Sequence, residues 1–256
     1  MLIILSPTKT IDITGKPAFV NHTLPDNLSK SQKLINILKK HSTEELSNLM
    51  NISPKLAQLN FERFQQWQLP FTPENAKQAL FTFKGEVFNG LDAESLARQE
   101  VEFSQDHLII LSGLYGTLRP LDLIQPYRLE MGTKSSFAGK KNLYEFWKTI
   151  ITNNLHKALD EQGDNILINL ASNEYFKSID TKKLDARIIS PEFKEFKNGT
   201  YKIVTIYAKK ARGLMTRFIL QNRLTDPEQI KLFDKEGYYF NEQLTTNSDK
   251  PVFTRN

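Results

Sequence analysis

The sequence predicts an α/β fold, with a mixed sheet and surrounding helices, in a single continuous domain spanning residues 1–256. Three apolar runs, at residues 2–5, 108–111 and 166–170, have the length and continuity of strands that are covered on both faces. Residues 186–206 alternate between apolar and polar side chains, which is typical of antiparallel or mixed strands. The 11 glycines and 11 prolines are dispersed, and no long linker divides the chain, so one domain is expected.

Helices are predicted between these runs from apolar spacing and from start signals. Ser42 begins a capping box with Glu45, and Ser53 and Thr72 each precede a proline, which is favoured at the first helical position. Four helices are predicted over residues 28–40, 53 to about 67, 142–162 and 208–222. Two more are predicted to begin at residues 42 and 72.

The composition excludes several kinds of site. The 256 residues contain no cysteine, which excludes a disulfide framework, a thiolate nucleophile, a redox thiol and a cysteine-ligated metal centre. The four histidines are at least 19 positions apart, so no two-histidine metal motif is present. We therefore assign no metal site and no cofactor from the sequence, and no residue is assigned a catalytic role.

The sequence favours a cytoplasmic protein without a membrane partner. No apolar run reaches 18 residues, and the apolar start at residues 2–5 is too short for a signal peptide. The oligomeric state stays open, with a monomer expected. A net charge of +5 permits a polyanionic partner, although this charge is small for 256 residues.

Charge is segregated along the chain. Residues 182–217 carry ten basic and three acidic side chains, whereas residues 85–110 carry six acidic side chains and one arginine. One interpretation is a pair of solvated faces of opposite sign that contact each other. The other is a basic face that binds phosphates.

Small polar residues follow each of the three apolar runs. In open α/β sheets, ligands bind beyond the carboxyl ends of the strands, so Lys9, Arg119, Ser172 and Glu174 are expected to converge. The alternative is ordinary capping of strand ends. The candidate pocket residues are Ser6, Ser112, Gly113, Gly116, Ser172, Glu174 and Lys177.

Two further segments contain candidate phosphate ligands. The turn Gly113-Leu-Tyr-Gly116 could present backbone N–H groups to a phosphate, join two short helices against DNA, or be a plain tight turn. Arg128 and Glu130 alternate, so in an extended segment they form either an anion clamp or a salt bridge with each other.

The strongest basic signal is Tyr207-Ala-Lys-Lys-Ala-Arg-Gly213. Lys209, Lys210 and Arg212 fall at the start of a predicted helix, where the helix dipole disfavours cations. An anion bound there would gain both the side-chain charge and free backbone N–H groups. A solvated basic helix end is the alternative.

Taken in order, these blocks resemble the YaaA peroxide-stress-resistance family of bacteria. The resemblance runs from Met1 nearly to the end, with departures such as Thr8 and Asn173, where relatives often carry alanine and aspartate. The blocks are Leu5-Ser-Pro-Thr-Lys-Thr10, Phe83-Lys-Gly85, Leu111-Ser-Gly-Leu-Tyr-Gly116, Leu118-Arg-Pro-Leu-Asp122, Gln125-Pro-Tyr-Arg-Leu-Glu-Met-Gly132, Asn169-Leu-Ala-Ser-Asn-Glu-Tyr-Phe-Lys177, Tyr207-Ala-Lys-Lys-Ala-Arg-Gly-Leu-Met215 and Glu236-Gly-Tyr238.

The resemblance implies a cytoplasmic protein that protects against hydrogen peroxide and limits iron-dependent oxidative damage to DNA. It also implies one α/β unit with a positive cleft and a helix-hairpin-helix element that binds duplex or distorted DNA. We place the hairpin of that element at residues 113–116. The expected DNA and phosphate ligands are Lys9, Arg119, Arg128, Lys209, Lys210 and Arg212.

Three hypotheses of function follow. The first is a DNA-binding stress protein, and the second is an enzyme that acts on a nucleotide or another phosphorylated small molecule. The third is a scaffold whose charges only stabilise the fold. The depth of the cleft between the basic side chains discriminates the first two, because an enclosed pocket favours a small-molecule ligand.

Overall fold

The computed structural model, which describes residues 1–15, 19 and 21–256, confirms the mixed α/β architecture. The strands are β1 (Leu2–Leu5), β2 (Thr10–Ile11), β3 (Lys77–Gln78), β4 (Phe83–Lys84), β5 (Leu108–Ser112), β6 (Gly116–Leu118), β7 (Leu123–Ile124), β8 (Ile166–Asn169), β9 (Arg187–Ile189), β10 (Glu192–Lys197), β11 (Thr200–Lys202), β12 (Tyr239–Phe240) and β13 (Val252–Arg255). The α-helices are α1 (Leu28–Leu38), α2 (Thr43–Met50), α3 (Pro54–Gln66), α4 (Ala79–Thr82), α5 (Glu86–Leu91), α6 (Arg98–His107), α7 (Leu143–Gln162), α8 (Asn173–Phe176) and α9 (Thr205–Asn222). Short 3-10 helices cover Ala93–Ser95, Pro227–Leu232 and Lys235–Gly237.

The central sheet has the strand order β6-β5-β1-β8-β9. The three apolar runs of the sequence are its neighbouring middle strands, with Ile3 opposite Leu108 on one side and Ile168 on the other. These pairs are parallel, and every residue of β1 is buried, as continuous apolar strands require. Parallel strands end at the same edge, so the segments that follow β1, β5 and β8 leave the sheet side by side.

Four predicted helices are present within one to three residues of their expected bounds, as α1, α2, α3 and α7. Ser42 and Glu45 form the predicted capping box, and the Ser53 hydroxyl accepts the N–H of Leu56. The helix expected at Thr72 is wrong. The Thr72 N–H bonds the side chain of Asn75, and the chain only turns before it enters β3.

The helix predicted over 208–222 begins earlier, at Thr205. The alternating pattern predicted strand as far as residue 206, whereas the last strand of this region, β11, ends at Lys202. Ala208, Ala211 and Met215 are buried at helical spacing. Burial of this apolar face therefore extends the helix towards its N-terminus.

The turn at residues 113–116 joins two strands and not two helices. It connects β5 to the antiparallel β6, with Ser112 opposite Gly116. Gly116 has a φ of 75°, and a Cβ atom there would lie 2.6 Å from the Trp147 ring, so this tight turn requires glycine. The prediction of a helix-hairpin-helix turn at this position is wrong, because the segments on both sides of the turn are the paired strands β5 and β6.

Helices α5 and α9 pack with their backbones in close contact through two glycines. A Cβ atom on Gly213 would lie 1.8 Å from the Val87 carbonyl oxygen, and one on Gly90 would lie 2.3 Å from the Lys210 carbonyl oxygen. Only glycine permits this approach at either position. The contact joins the acidic and basic regions of the sequence, because α5 belongs to the first and α9 to the second.

The C-terminal region forms a second sheet in the order β11-β10-β13-β12. Its core is a cluster of aromatic rings, in which Phe193 contacts Phe233, Tyr238 and Phe253 at centroid distances of 5.6 to 6.0 Å. The Arg255 guanidinium lies 4.7 Å from the Tyr238 ring centroid. This sheet packs beside α9 through β10.

We predict that Gly213→Ala destabilises the protein by about 3 kcal/mol, because the added methyl group clashes with the backbone of α5. In an exposed helix interior the same change stabilises by about 1 kcal/mol, so the sign is diagnostic. Chemical denaturation of the variant and the wild type measures the difference in the free energy of unfolding. An unchanged or raised free energy would contradict the close contact of α5 with α9.

A second prediction concerns Asp122, which is 4% exposed and accepts hydrogen bonds from the Thr23 hydroxyl at 2.6 Å and the Arg119 N–H at 2.7 Å. Burial raises the pKa of this carboxyl to about 6, above its usual value of 3.8. The folded protein therefore holds this proton at a pH where the unfolded chain has lost it. Stability should fall as pH rises from about 4 to 6, by on the order of 2–3 kcal/mol from this group.

Asp122→Asn removes the titration while it retains a side-chain acceptor. The free energy of unfolding, measured from pH 4 to 7 for both proteins, should show a pH dependence in the wild type that the variant lacks. Parallel curves for the two proteins would contradict a buried, titrating Asp122.

Candidate functional site

A cavity of about 290 Å³ opens at the edge of the central sheet where β1 and β8 end. Five segments that are distant in sequence form its walls: residues 6–10, 84–87, 127–130 and 170–175, and one face of α9. Its polar and charged lining residues are Ser6, Thr8, Lys9, Thr10, Lys84, Glu86, Tyr127, Arg128, Glu130, Ser172, Glu174, Tyr175, Lys209 and Arg212.

Two serines join the ends of β1 and β8. The Ser172 N–H donates to the Ser6 hydroxyl oxygen at 2.8 Å, and the two hydroxyl oxygens are 3.2 Å apart. Beside them, Glu174 accepts the Gly132 N–H at 2.9 Å, which fixes the carboxylate at the cavity wall. Ser6, Ser172 and Glu174 thus lie together, as the strand-end argument predicts.

Lys84 reaches the cavity through a two-stranded pairing. Thr10 pairs with Lys84 in the antiparallel β2–β4 ladder, so the segment after β1 and the start of α5 lie side by side. Gly85 has a φ of 134° and packs against Thr8, which permits the sharp entry into α5. The sequence signal for this residue is the block Phe83-Lys-Gly85, and Lys84 itself was not among the predicted ligands.

Arg128 and Glu130 form the salt bridge that their alternation allows. Arg128 donates to Glu130 at 3.0 Å, and Lys9 donates to the other oxygen of the same carboxylate at 2.8 Å. The Arg128 side chain is 14% exposed, and its Nε–H finds no acceptor in the described protein. This segment lies against the turn after β5, because a Cβ atom on Gly113 would be 2.2 Å from the Leu129 carbonyl oxygen.

Arg212 is a half-buried guanidinium without a carboxylate partner among the described residues. Burial alone lowers its pKa, and no acidic side chain offsets that loss of solvation. Lys209 lies three residues earlier on the same face of α9 and is exposed at the rim. These two cations are therefore available to an external anion.

Lys209 and Arg212 are the fifth and eighth residues of α9, since the helix begins at Thr205, so both lie beyond its first turn. Backbone N–H groups at that depth bond within the helix and are not free for an anion. The expectation that Lys209, Lys210 and Arg212 lie at the helix start beside free backbone N–H groups is therefore wrong. The positive charge that α9 contributes to the cavity therefore comes from the side chains of Lys209 and Arg212 and not from free backbone N–H groups.

Two predicted phosphate ligands lie outside the cavity. Arg119 follows β6, which runs antiparallel to β5 and so returns the chain to the opposite edge of the sheet. There the Arg119 guanidinium pairs with the Glu161 carboxylate at 2.9 Å. It therefore does not converge with Lys9, which corrects the strand-end expectation for this residue. Lys210 points away from Lys209 and pairs with Glu236 at 2.6 Å.

The remaining candidate pocket residues do not line the cavity. The Ser112 hydroxyl is buried, where it accepts the Leu114 and Tyr115 N–H groups and shares a 2.6 Å hydrogen bond with Tyr127. Gly113 and Gly116 belong to the same buried turn, and Gly113 packs against Leu129 in the cavity wall. Lys177 is exposed at the end of α8.

The cavity combines cations with a smaller number of carboxylates. The cations are Lys9, Lys84, Arg128, Lys209 and Arg212, and the carboxylates are Glu86, Glu130 and Glu174. Burial raises the pKa of both Tyr127 and Tyr175 far above neutrality, so their hydroxyls stay protonated. Such a site can bind an anionic group and can also accept hydrogen bonds from a neutral part of the same ligand.

The described residues offer neither a metal site nor a membrane-spanning helix. Across residues 1–15, 19 and 21–256, no three imidazole or carboxylate side chains are grouped so that they could hold a metal ion. In the same residues, no helix has the length and apolarity needed to cross a bilayer.

Comparison with protein families adds one match. The model of the family described as "Peroxide stress protein YaaA" matches residues 1–244. The match covers all five segments that form the cavity and both helices of the glycine contact. The chain therefore belongs to the peroxide stress protein YaaA family.

Proposed function

We propose that this member of a peroxide stress family binds double-stranded or distorted DNA around the cavity and thereby limits iron-dependent oxidative damage to DNA in the cytoplasm. The observation that carries the proposal is the gathering of Lys9, Arg128, Lys209 and Arg212, four of the six predicted phosphate ligands, around one cavity. They come from three distant parts of the chain, so the cluster is a product of the fold.

The state of these cations supports binding of an external anion. Arg212 and Lys209 have no carboxylate partner in the described part of the chain, and Arg128 has an N–H without an acceptor. Lys9 and Arg128 share the Glu130 carboxylate at the cavity, whereas Arg119 and Lys210 are each paired with glutamate away from it. A half-buried guanidinium without a partner loses solvation, and a phosphate oxygen offsets that loss with charge-assisted hydrogen bonds.

Protection through DNA also agrees with the composition. The 256 residues contain no cysteine, so they cannot reduce peroxide through a thiol. A protein that covers DNA or holds a distorted region of it would act on the target of the damage. Binding would then be governed by the phosphate contacts and would depend strongly on salt.

We predict that the affinity for a DNA duplex falls steeply as salt is raised. If four cations each neutralise one phosphate, a plot of log affinity against log salt has a slope of about −3.6. Lys209→Ala should flatten this slope by about one and weaken binding to all sequences alike. Fluorescence anisotropy over a series of salt concentrations measures both quantities.

Two variants serve as controls for Lys209→Ala. Lys33→Ala removes another exposed helical lysine, on α1, that has no ion pair with any described residue, and it should leave the slope unchanged. Arg119→Ala removes a predicted ligand that lies at the opposite edge of the sheet, and it should also leave the slope unchanged. A wild-type slope near zero, or an equal effect of all three variants, would rule out DNA binding at the cavity.

A second function is favoured by the depth of the cavity. An enzyme acting on a nucleotide or another phosphorylated small molecule would bind at the carboxyl ends of β1 and β8, where this cavity lies. Recessed carboxylates and hydroxyls such as Glu174, Ser6 and Ser172 are groups that DNA phosphates do not require. They could hold or move a proton of a small ligand.

This second function predicts thermal stabilisation by one member of a nucleotide panel. A ligand present at 100 times its dissociation constant stabilises the folded state by about 2.7 kcal/mol. Glu174→Gln should keep the stabilisation but abolish turnover, since the amide cannot exchange a proton at neutral pH. No shift with any nucleotide, together with steep salt-dependent DNA binding, would leave only the first function.

A further inference from the structure

The two arginines of the cavity are recessed behind its lysines. The Lys9 side chain is 62% exposed and Lys209 is exposed at the rim, whereas the Arg128 side chain is 14% exposed and Arg212 is half-buried. A DNA duplex presents its phosphates on a convex surface, which the rim lysines can reach. The recessed guanidiniums can be reached only by a group that enters the cavity.

Both recessed guanidiniums have donors that no described protein group accepts, although Arg128 also donates to Glu130. The Arg128 Nε–H is buried and lacks an acceptor. The half-buried Arg212 guanidinium lacks a hydrogen-bond and an ion-pair partner among the described residues. An unsatisfied buried donor is costly, which favours a ligand that brings an acceptor to it. An anionic oxygen fits the pair of arginines, because guanidinium groups bind phosphate in a bidentate manner.

The walls of the cavity suit a ligand that is more than an anion. Leu129, Leu170 and Val87 present apolar surface, and Glu130 and Glu174 present carboxylate oxygens. A bare phosphate would use neither and would be repelled by the carboxylates. A nucleobase has apolar faces, and its amino and imino groups donate to carboxylates.

The size of the cavity limits the ligand. Its volume of about 290 Å³ is at the lower end of ligand pockets, near 300 Å³. This volume suits one nucleotide unit and is too small for a stacked pair of nucleotides.

We propose that the cavity receives a single nucleotide unit extruded from distorted DNA, with its phosphate at Arg128 and Arg212 and its base against the apolar wall and the carboxylates. This rests on the proposed DNA-binding function and deepens it. Distorted DNA is the favoured source because extrusion costs least where a base is bulged or mispaired. The rim lysines Lys9 and Lys209 would hold the flanking backbone.

The test uses the full-length protein and duplexes that carry the fluorescent base 2-aminopurine, either in a single-nucleotide bulge or fully paired. At saturating protein, the fluorescence of the bulged base should change several-fold as it leaves the stack, while the paired base should not respond. The bulged duplex should bind about tenfold more tightly than the paired one, a preference equivalent to one charge-assisted contact.

Arg212→Met keeps an unbranched, flexible side chain but removes the guanidinium and its charge, so it should abolish both the fluorescence response and the preference for the bulge. Arg98→Met is the matched control, because Arg98 is an exposed arginine on α6 outside the cavity, and it should change neither. Melting temperatures of both variants establish that they are folded.

The outcomes separate this inference from the function on which it rests. Salt-dependent binding of both duplexes with equal affinity and no fluorescence change would overturn extrusion and leave DNA binding intact. Absence of salt-dependent binding would overturn both. Stabilisation by free adenosine monophosphate that Arg212→Met abolishes, with no response from the bulged base, would overturn extrusion and assign the cavity to a free nucleotide.

Discussion

The close contact of α5 with α9, which Gly90 and Gly213 permit, is the constraint on which the cavity depends. It brings two helix backbones so close that a single methyl group at Gly213 would overlap the Val87 carbonyl oxygen. α5 begins directly after β4, which pairs with β2 and so with the segment that follows β1. The glycine contact thereby ties α9 to the edge of the central sheet, and Arg212, the residue before Gly213, lies in the cavity as a consequence. Without it, the basic block of the sequence would be an ordinary solvated helix surface.

Strand direction then decides which predicted ligands meet. β1 and β8 are parallel neighbours, so Ser6 and Ser172 emerge together and bond each other. β6 reverses direction after a tight turn, so Arg119 returns to the far edge although it follows an apolar strand in the same way. The turn that causes this reversal also has a structural role. Its glycine at 113 lets the segment that carries Arg128 lie against the sheet.

The parts of the fold that were predictable from the sequence are those fixed by local patterns. Continuous apolar runs identified the three middle strands, and capping residues such as Ser42 and Ser53 located helix starts, because both signals arise within a few residues. The pairing of Lys9 with Glu130 depends on a contact over a long sequence separation, which no local pattern records. The orientation of β6 follows from the tight turn at residues 113–116, for which the sequence alone left three interpretations open. The predicted start of α9, at residue 208, is three residues late for a related reason. Burial of Ala208 against the rest of the protein outweighs the alternating pattern before it.

The cavity contains both cations and carboxylates, which favours recognition of a specific ligand over general attraction of polyanions. Glu130 satisfies Lys9 and part of Arg128, so it holds two cations in place while it reduces the net positive charge of the site. A surface that only attracted phosphate would gain from losing that carboxylate. Its presence suggests that the ligand has a neutral part with hydrogen-bond donors beside its anionic part. Under the proposed function, the unpartnered guanidinium of Arg212 and the carboxylates on the wall are two halves of one binding site, and the glycine contact between α5 and α9 positions Arg212 in it.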